Sequence, residues 1–421
     1  MKMLMMFLFA FSSLFAQIKF DDHFVDKTLR LDYYHSGNKT EQWFTFAKLL
    51  EEPIWGGSKT NLVDTLNLGN FLVKVYEMET NKLIYSRGYS SLFQEWQTTD
   101  EATKINKSFP ESVVVPFPKN KVRIEIDGRD KKNNFVKLWE YEVDPKNYFI
   151  STERKHKYPN VKIHYSGDPS VKYDIVLMPE GYTNDEMEDF IATCEFYGKA
   201  LFNYEPYKEY KDKINIWAVL APSKESGSDI PADSIWVNTI FNSSYYTFDS
   251  ERYVMIEDYQ TVRDVAANAP CDQIYILANH DKYGGGAIYN FYSLTAIKNS
   301  AGEKVFVHEL AHGLAGIADE YVDVSTYNEF YPLDVEPWEP NITTLVNFES
   351  KWKNLLDKDT PVPTPVEEKY KDKLGAFEGG GYVAKGVYRP TQQSIMNSFV
   401  SDKYNLPSLI AIKKVLEFYS K

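Results

Sequence analysis

Apolar residues recur with two different periods along the chain, and the change of period near residue 168 divides it. Between residues 18 and 150 they alternate with polar ones, as in Thr28-Leu29-Arg30-Leu31-Asp32-Tyr33-Tyr34, the period-two spacing of strands with one buried face. Two hairpins are predicted here. One pairs Phe71–Glu77 with residues 82–87 across Met78-Glu79-Thr80-Asn81, and the other pairs residues 122–127 with Phe135–Val143 across a polar turn at 128–134. An all-β, sandwich-like unit is expected over residues 17–150. A polar connection follows over 151–167, in which His156 is read as a solvated side chain.

From residue 168 to 421 the apolar runs lengthen. Residues 174–178, 214–220 and 274–278 are almost continuously apolar, the pattern of strands buried on both faces. Between them Met187, Phe190, Ile191, Cys194 and Leu201 recur at helical spacing behind Thr183, an N-cap whose capping-box partner is Glu186. This alternation predicts an α/β (α+β) unit with a mixed sheet. The triple glycine at 284–286 lacks the Lys-Ser/Thr ending of a phosphate loop. With Ala287-Ile288-Tyr289-Asn290-Phe291-Tyr292 after it, the segment is read as an irregular edge strand beside a cleft, to which an extended peptide can add by backbone hydrogen bonds. Pro361, Pro363 and Pro365 mark one surface loop and Gly379-Gly380-Gly381 another, and residues 407–419 are predicted to close the chain as an amphipathic helix.

The chemistry concentrates in His308-Glu309-Leu310-Ala311-His312-Gly313-Leu314-Ala315-Gly316-Ile317-Ala318-Asp319-Glu320-Tyr321. Apolar residues lead into it from Val305 and continue through Leu310, Leu314 and Ile317, which predicts a buried helix. Four helical residues advance roughly 400°, so His308 and His312 share one face and can grip one Zn²⁺. Glu309 is then placed to deprotonate the attacking water. A Glu and two His on a buried face are costly unless something pairs them. Gly316 is suited to end the helix in a left-handed turn that delivers Asp319 and Glu320 to the metal. None of the seven histidines follows His312, so the third ligand is a nearby carboxylate or a histidine from far upstream. Asp319 is the first choice and Glu320 the second. A ligand on a later helix would be Glu329, Glu336 or Glu339, but Pro332, Pro337 and Pro340 disfavour such a helix.

The site resembles that of the metzincin metallopeptidases, H-E-x-x-H-x-x-G-x-x-H or -D, with Gly316 and Asp319 each one residue later than in that pattern. Ser394-Ile395-Met396-Asn397 is similar to the metzincin methionine turn, which implies that Met396 packs beneath the metal without ligating it. A narrower resemblance is to the immunoglobulin-A-peptidase family of zinc metallopeptidases, which uses the longer spacing. It is carried by residues 173–183 (Tyr-Asp-Ile-Val-Leu-Met-Pro-Glu-Gly-Tyr-Thr), 226–231 (Ser-Gly-Ser-Asp-Ile-Pro), 279–287 and 308–321, in that order. The resemblance covers about residues 168–421. It implies a zinc endopeptidase-like domain preceded by a smaller β domain, and it does not imply immunoglobulin A as the substrate.

Residues 1–16 are read as a secretory signal: Lys2, a short apolar run, and a cut expected after Ala16. No cysteine stands at the cut, so a lipid anchor is not expected, and no later run reads as membrane-spanning. An exported protein, periplasmic or extracellular, is expected. The formal charge of −13 argues against a nucleic-acid partner, which needs a basic footprint. Cys194 and Cys271, the two cysteines, are equally compatible with a disulfide and with free thiols. The reading reached is an exported zinc metalloendopeptidase acting on proteins or peptides. Two others stay open at this point: a zinc-containing binding protein whose β domain recognises a glycan or protein, and a zinc amidase acting on cell-wall material.

Overall fold

A computed structural model describes residues 18–154, 157–323 and 331–421. The leader expected at 1–16, His156 and Glu329 lie outside the described residues. The first unit opens with a single helical turn, α1 (Phe20–His23), and two long strands, β1 (Phe24–Gly37) and β2 (Gln42–Glu52). The predicted first hairpin is β3 (Phe71–Glu77) with β4 (Leu83–Tyr89), antiparallel and with Phe71 opposite Tyr89. After α2 (Leu92–Trp96) come β5 (Lys107–Pro118) and the second predicted hairpin, β6 (Val122–Arg129) with β7 (Phe135–Val143). The sheets run β2-β1-β5 and β4-β3-β6-β7. Leu29, Leu31 and Val115 from one share a core with Val73, Val75, Ile124 and Ile126 from the other. The apolar set of the alternation lies between two sheets, but β1 is buried on its other face as well: Thr28, Arg30 and Asp32 are covered, with Arg30 bonded to Asp32 and Asp264.

The second unit contains β8 (Asn160–His164), β9 (Tyr173–Glu180), α3 (Met187–Leu201), β10 (Ile214–Val219), α4 (Tyr259–Ala266), β11 (Gln273–Ala278), β12 (Gly285–Ile288), β13 (Tyr292–Ala296), α5 (Gly302–Ala315), β14 (Phe377–Gly380), β15 (Val383–Arg389) and α6 (Leu406–Tyr419). Its main sheet has the order β12-β13-β11-β9-β10-β8. The four inner strands are parallel and both edge strands antiparallel to their neighbours. Every residue of β9, β10 and β11 is buried, because α3, α5 and α6 cover one face while α4 and the loops around Tyr245 and Val254 cover the other. The chain is thus a mixed α/β protein with several sheets and a β-rich N-terminal region.

The capping box forms as expected. Thr183 N donates to Glu186 Oε2 at 2.8 Å and Thr183 Oγ1 to the same oxygen at 2.9 Å, although the first turn, Asn184–Glu186, is 3-10 and α3 proper begins at Met187. Glu186 also gathers two distant stretches, accepting from Ser226 Oγ and from Asn279 Nδ2 at 3.1 Å. Partial burial alone would raise this carboxyl; hydrogen bonds from Ser226, Thr183 and Asn279 outweigh it and hold it down at about 2. A folded pKa below the unfolded value of about 4.3 stabilises fully above that value, and the effect is lost as pH falls towards the folded one. Glu186→Gln should therefore lower stability by about 1 kcal/mol near neutral pH, after allowance for solvent screening. Urea midpoints should show the gap from wild type closing below about pH 4; a gap that persists there would assign the effect to shape instead of charge.

One sequence expectation changes, and one open alternative closes. Gly379-Gly380-Gly381 is no surface loop: Gly379 and Gly380 end the buried strand β14. A Cβ on Gly381 (φ +58°) would stand 2.5 Å from Tyr331 Cε2, so glycine serves close approach here as well as turning. The cysteines are both free thiols, Cys194 in the core under α3 and Cys271 against the core on the opposite face of the sheet.

The two units are locked together. Arg30 of β1 donates to Asp264 of α4 at 2.7 Å, Arg263 to Glu52 at 3.1 Å, and Leu92, Phe93 and Trp96 of α2 share a core with Val262 and Val265. A cleft of about 1940 Å³ runs between the units and is lined from both sides.

Candidate active site

The floor of the cleft is α5. Eleven of its fourteen residues are buried, so the helix sits with little freedom to rotate. It lies so close to the sheet that a Cβ on Gly313 would fall 2.3 Å from Ser293 Oγ. Ser293 Oγ in turn donates to Glu309 O at 2.8 Å. Gly316 closes the helix in the left-handed region (φ 59°), with its N–H donating to His312 O at 2.9 Å. That turn sends the chain back past the helix it has just left.

His308 and His312 face one another, Nε2 to Nε2 at 3.0 Å, and Asp319 Oδ1 lies 3.0 Å from the first and 3.5 Å from the second. Their outer nitrogens are engaged: His308 Nδ1 with Ile395 O at 3.1 Å, and His312 Nδ1 with Ile317 O. Backbone carbonyls only accept, so each ring carries its proton on Nδ1 and turns the Nε2 lone pair inward. Asp319 Oδ1 is buried and has no hydrogen-bond partner. Three electron pairs therefore converge where no donor answers them, which a cation resolves; the donor set, two imidazoles and one carboxylate, suits Zn²⁺ with a position left open. Among the described residues this is the one group of three whose ligand atoms lie within 4.8 Å of one another.

With no cation bound, the same negative surroundings draw a proton towards the place a cation would take. Burial would lower the His312 pKa, yet the charges of Asp319 and Glu309 push it up to about 9. Burial would raise the Asp319 carboxyl, but the positive charge gathered at His312 and the close approach of His308 hold it well below the usual range. Glu309, 9% exposed, is raised by burial against the pull of the two imidazoles, the condition of a base able to release a proton again. An added Cβ at Gly285 would stand 3.0 Å from Glu309 Oε1, so the edge strand β12 passes beside this carboxylate. The edge is partly occupied, since Gly285 N donates to Arg252 O at 3.2 Å.

The other candidates are placed elsewhere. Glu320 is fully buried and turned away: its oxygens accept from Asn341 Nδ2 at 2.8 Å, Asn405 Nδ2 at 2.6 Å and Ser394 Oγ at 2.6 Å. Glu336 accepts from Asn347 N and Glu339 from Tyr331 OH. Upstream, His35 lies between Glu111 and Gln42, His164 contacts Lys211 O, and His280 accepts from Lys282 N. Met396 is fully buried, and the backbone of its segment reaches the site twice, through Ile395 O on His308 and through Met396 O on Glu320 N at 2.8 Å.

Three cleft residues carried no sequence signal of their own. Tyr382 donates its hydroxyl to Asp319 Oδ2, and its backbone, with that of Gly381, pairs with the loop that carries Asp319: Gly381 N to Asp319 O at 2.8 Å and Tyr382 N to Tyr321 O at 3.0 Å. The glycine run before Tyr382 was the sole hint, and it read as a loop. Arg252 donates to Tyr321 OH at 3.2 Å. Glu95 enters the cleft from the N-terminal unit.

A buried helix offering two imidazoles and a carboxylate to an open cleft, with a strand edge along its wall, is the layout of a peptidase. Family models agree. That of IgA Peptidase M64 matches residues 161–374 and 366–416, and that of the Peptidase M64 N-terminus matches residues 19–140. The chain belongs to the IgA Peptidase M64 family, and membership in a peptidase family implies protein or peptide substrates. No curated protein matches it. Among the described residues no helix is long and apolar enough to cross a membrane.

Proposed function

We propose that the protein is an exported, zinc-dependent metalloendopeptidase of metzincin-like design. The observation that carries this reading is the convergence of His308 Nε2, His312 Nε2 and the unpartnered Asp319 Oδ1 beside Glu309. These three residues would hold zinc, which when bound lowers the pKa of water and polarises the scissile carbonyl. Ile395 O and Ile317 O fix the imidazole orientations, and Tyr382 fixes the carboxylate through Oδ2. Glu309 takes a proton from the attacking water; as the C–N bond breaks it passes that proton to the departing amine nitrogen. Met396 supports the floor as packing. A cleft of about 1940 Å³ exceeds the usual small-molecule pocket of roughly 300–1,000 Å³ and suits an extended peptide, whose backbone would pair along β12. Export rests on the leader read at residues 1–16.

The test is digestion of a diverse peptide library by residues 17–421, alongside chelator-treated enzyme and the chelated sample restored with zinc. Cleavage lost on chelation and regained with zinc is expected. Cleavage indifferent to the chelator would refute the metal's role, and cleavage confined to chain ends would replace the endopeptidase reading by an exopeptidase one.

A further inference from the structure

We propose that Glu95 and Glu339 form a cation-recognising subsite of the cleft, which takes a lysine or arginine side chain of the substrate; this rests on the peptidase reading above. The two carboxylates belong to different parts of the chain, Glu95 to α2 of the N-terminal unit and Glu339 to the segment beyond the metal loop, and both line the cleft. Their sequence neighbours are stapled together: Trp338 Nε1 donates to Asn70 Oδ1 at 2.9 Å, and Asn70 Nδ2 to Gln94 Oε1 at 2.6 Å. Each carboxylate is held by a phenol at one oxygen, Glu95 Oε2 by Tyr253 and Glu339 Oε1 by Tyr331 at 3.0 Å.

The second oxygen of Glu339 is left without a partner. The residue is 8% exposed, and its Oε2 is buried without a hydrogen-bond partner. Lys351 and Arg129 ease the burial of the Glu339 carboxyl by their charge, but their hydrogen bonds go elsewhere. Arg129 donates to the backbone oxygens of Gly69, Asn133 and Asn67, and Lys351 to those of Pro337 and Glu339. A guanidinium or ammonium from a bound peptide supplies the missing donor and a charge-assisted bond. Burial, eased by Tyr253 and His312 and reinforced by Glu309 and Asp319, pushes the Glu95 carboxyl up to about 7; a cation beside it would draw it into its ionised form. Glu95 and Glu339 line the same cleft as Glu309, His312 and Asp319, so a peptide lying across the candidate site passes both carboxylates. The N-terminal unit would then help to choose the substrate as well as pack against the enzyme body.

The experiment measures equilibrium binding, by fluorescence polarisation, of a position-scanning peptide set to the zinc-loaded full chain carrying Glu309→Gln. Each position holds either arginine or norleucine, which have similar length and differ in charge. At one position arginine should bind about tenfold or more tightly, the effect of a charged hydrogen-bonded pair, and Glu95→Gln or Glu339→Gln in the same background should reduce that ratio to below about threefold. A ratio near one at every position overturns the subsite, as does a ratio that survives both substitutions. Hydrolysis by the wild type is read separately. Selective binding without turnover would sink the peptidase reading alone, and turnover without selectivity would sink the subsite alone.

Discussion

Replacing Glu309 by Gln should lower kcat for peptide hydrolysis by about 10²–10⁴-fold, the range over which a positioned general base acts, while leaving one zinc per chain. The amide keeps the shape of the carboxylate and its place beside β12, so the helix has no reason to move. It cannot accept the water's proton, and that alone removes turnover. Folding should not suffer either. The carboxyl is buried and raised by that burial, so exchanging it for a neutral group removes a desolvation cost. The measurements are zinc content by elemental analysis, melting temperature and kcat on one sample. A variant that holds zinc, melts like wild type and still turns over would remove Glu309 from the role of base. A variant that loses zinc would make it a ligand.

The adjacent carboxylates should fail in opposite ways. Asp319→Ala takes away one of three converging ligand atoms, and zinc affinity should fall by more than about 100-fold, since disturbing even an outer partner of a ligand costs 10–100-fold. The zinc-free protein should lose less than it would at Glu320, about 1–3 kcal/mol, because only the Tyr382 hydroxyl is left without its acceptor at Asp319 Oδ2. Wild type should gain melting temperature as zinc is added, by the ordinary linkage of binding to folding, and Asp319→Ala should gain none. Glu320→Ala leaves the donors of Asn341, Asn405 and Ser394 unmet at a site with no solvent. It should destabilise the zinc-free protein by about 3–5 kcal/mol. Glu320→Gln should cost less, because one amide oxygen still accepts. Zinc titrations followed by melting temperature, with urea unfolding of the metal-free proteins, distinguish the two. Loss of zinc in Glu320→Ala with unchanged metal-free stability would reverse the assignment of Asp319 and Glu320.

Much of the scaffold was readable from short-range pattern. Period-two alternation in Thr28–Tyr34, the apolar runs that became β9, β10 and β11, and the Thr183–Glu186 box are each decided by neighbours a few residues apart. The candidate helix was readable for the same reason: its face is set by 3.6-residue geometry and its end by Gly316. The glycine run at 379–381 marks a surface turn and a close backbone approach alike, and only the Tyr331 ring and the loop of Asp319 beside it separate the two.

What the sequence by itself determined, then, is the set of elements and the pairing of His308 with His312 one helical turn apart, since both follow from local burial and backbone geometry. Which of two consecutive carboxylates faces the imidazoles was left to the tertiary structure. Asp319 and Glu320 are alike in charge and reach. Glu320 is drawn aside by donors 21, 74 and 85 residues away along the chain, and Asp319 is steadied by Tyr382, 63 residues away. The wall that carries Glu95 comes from a different unit altogether. A hydrogen bond is fixed where its partners meet in space, and over such separations that meeting place is set by the packing of whole sheets and helices.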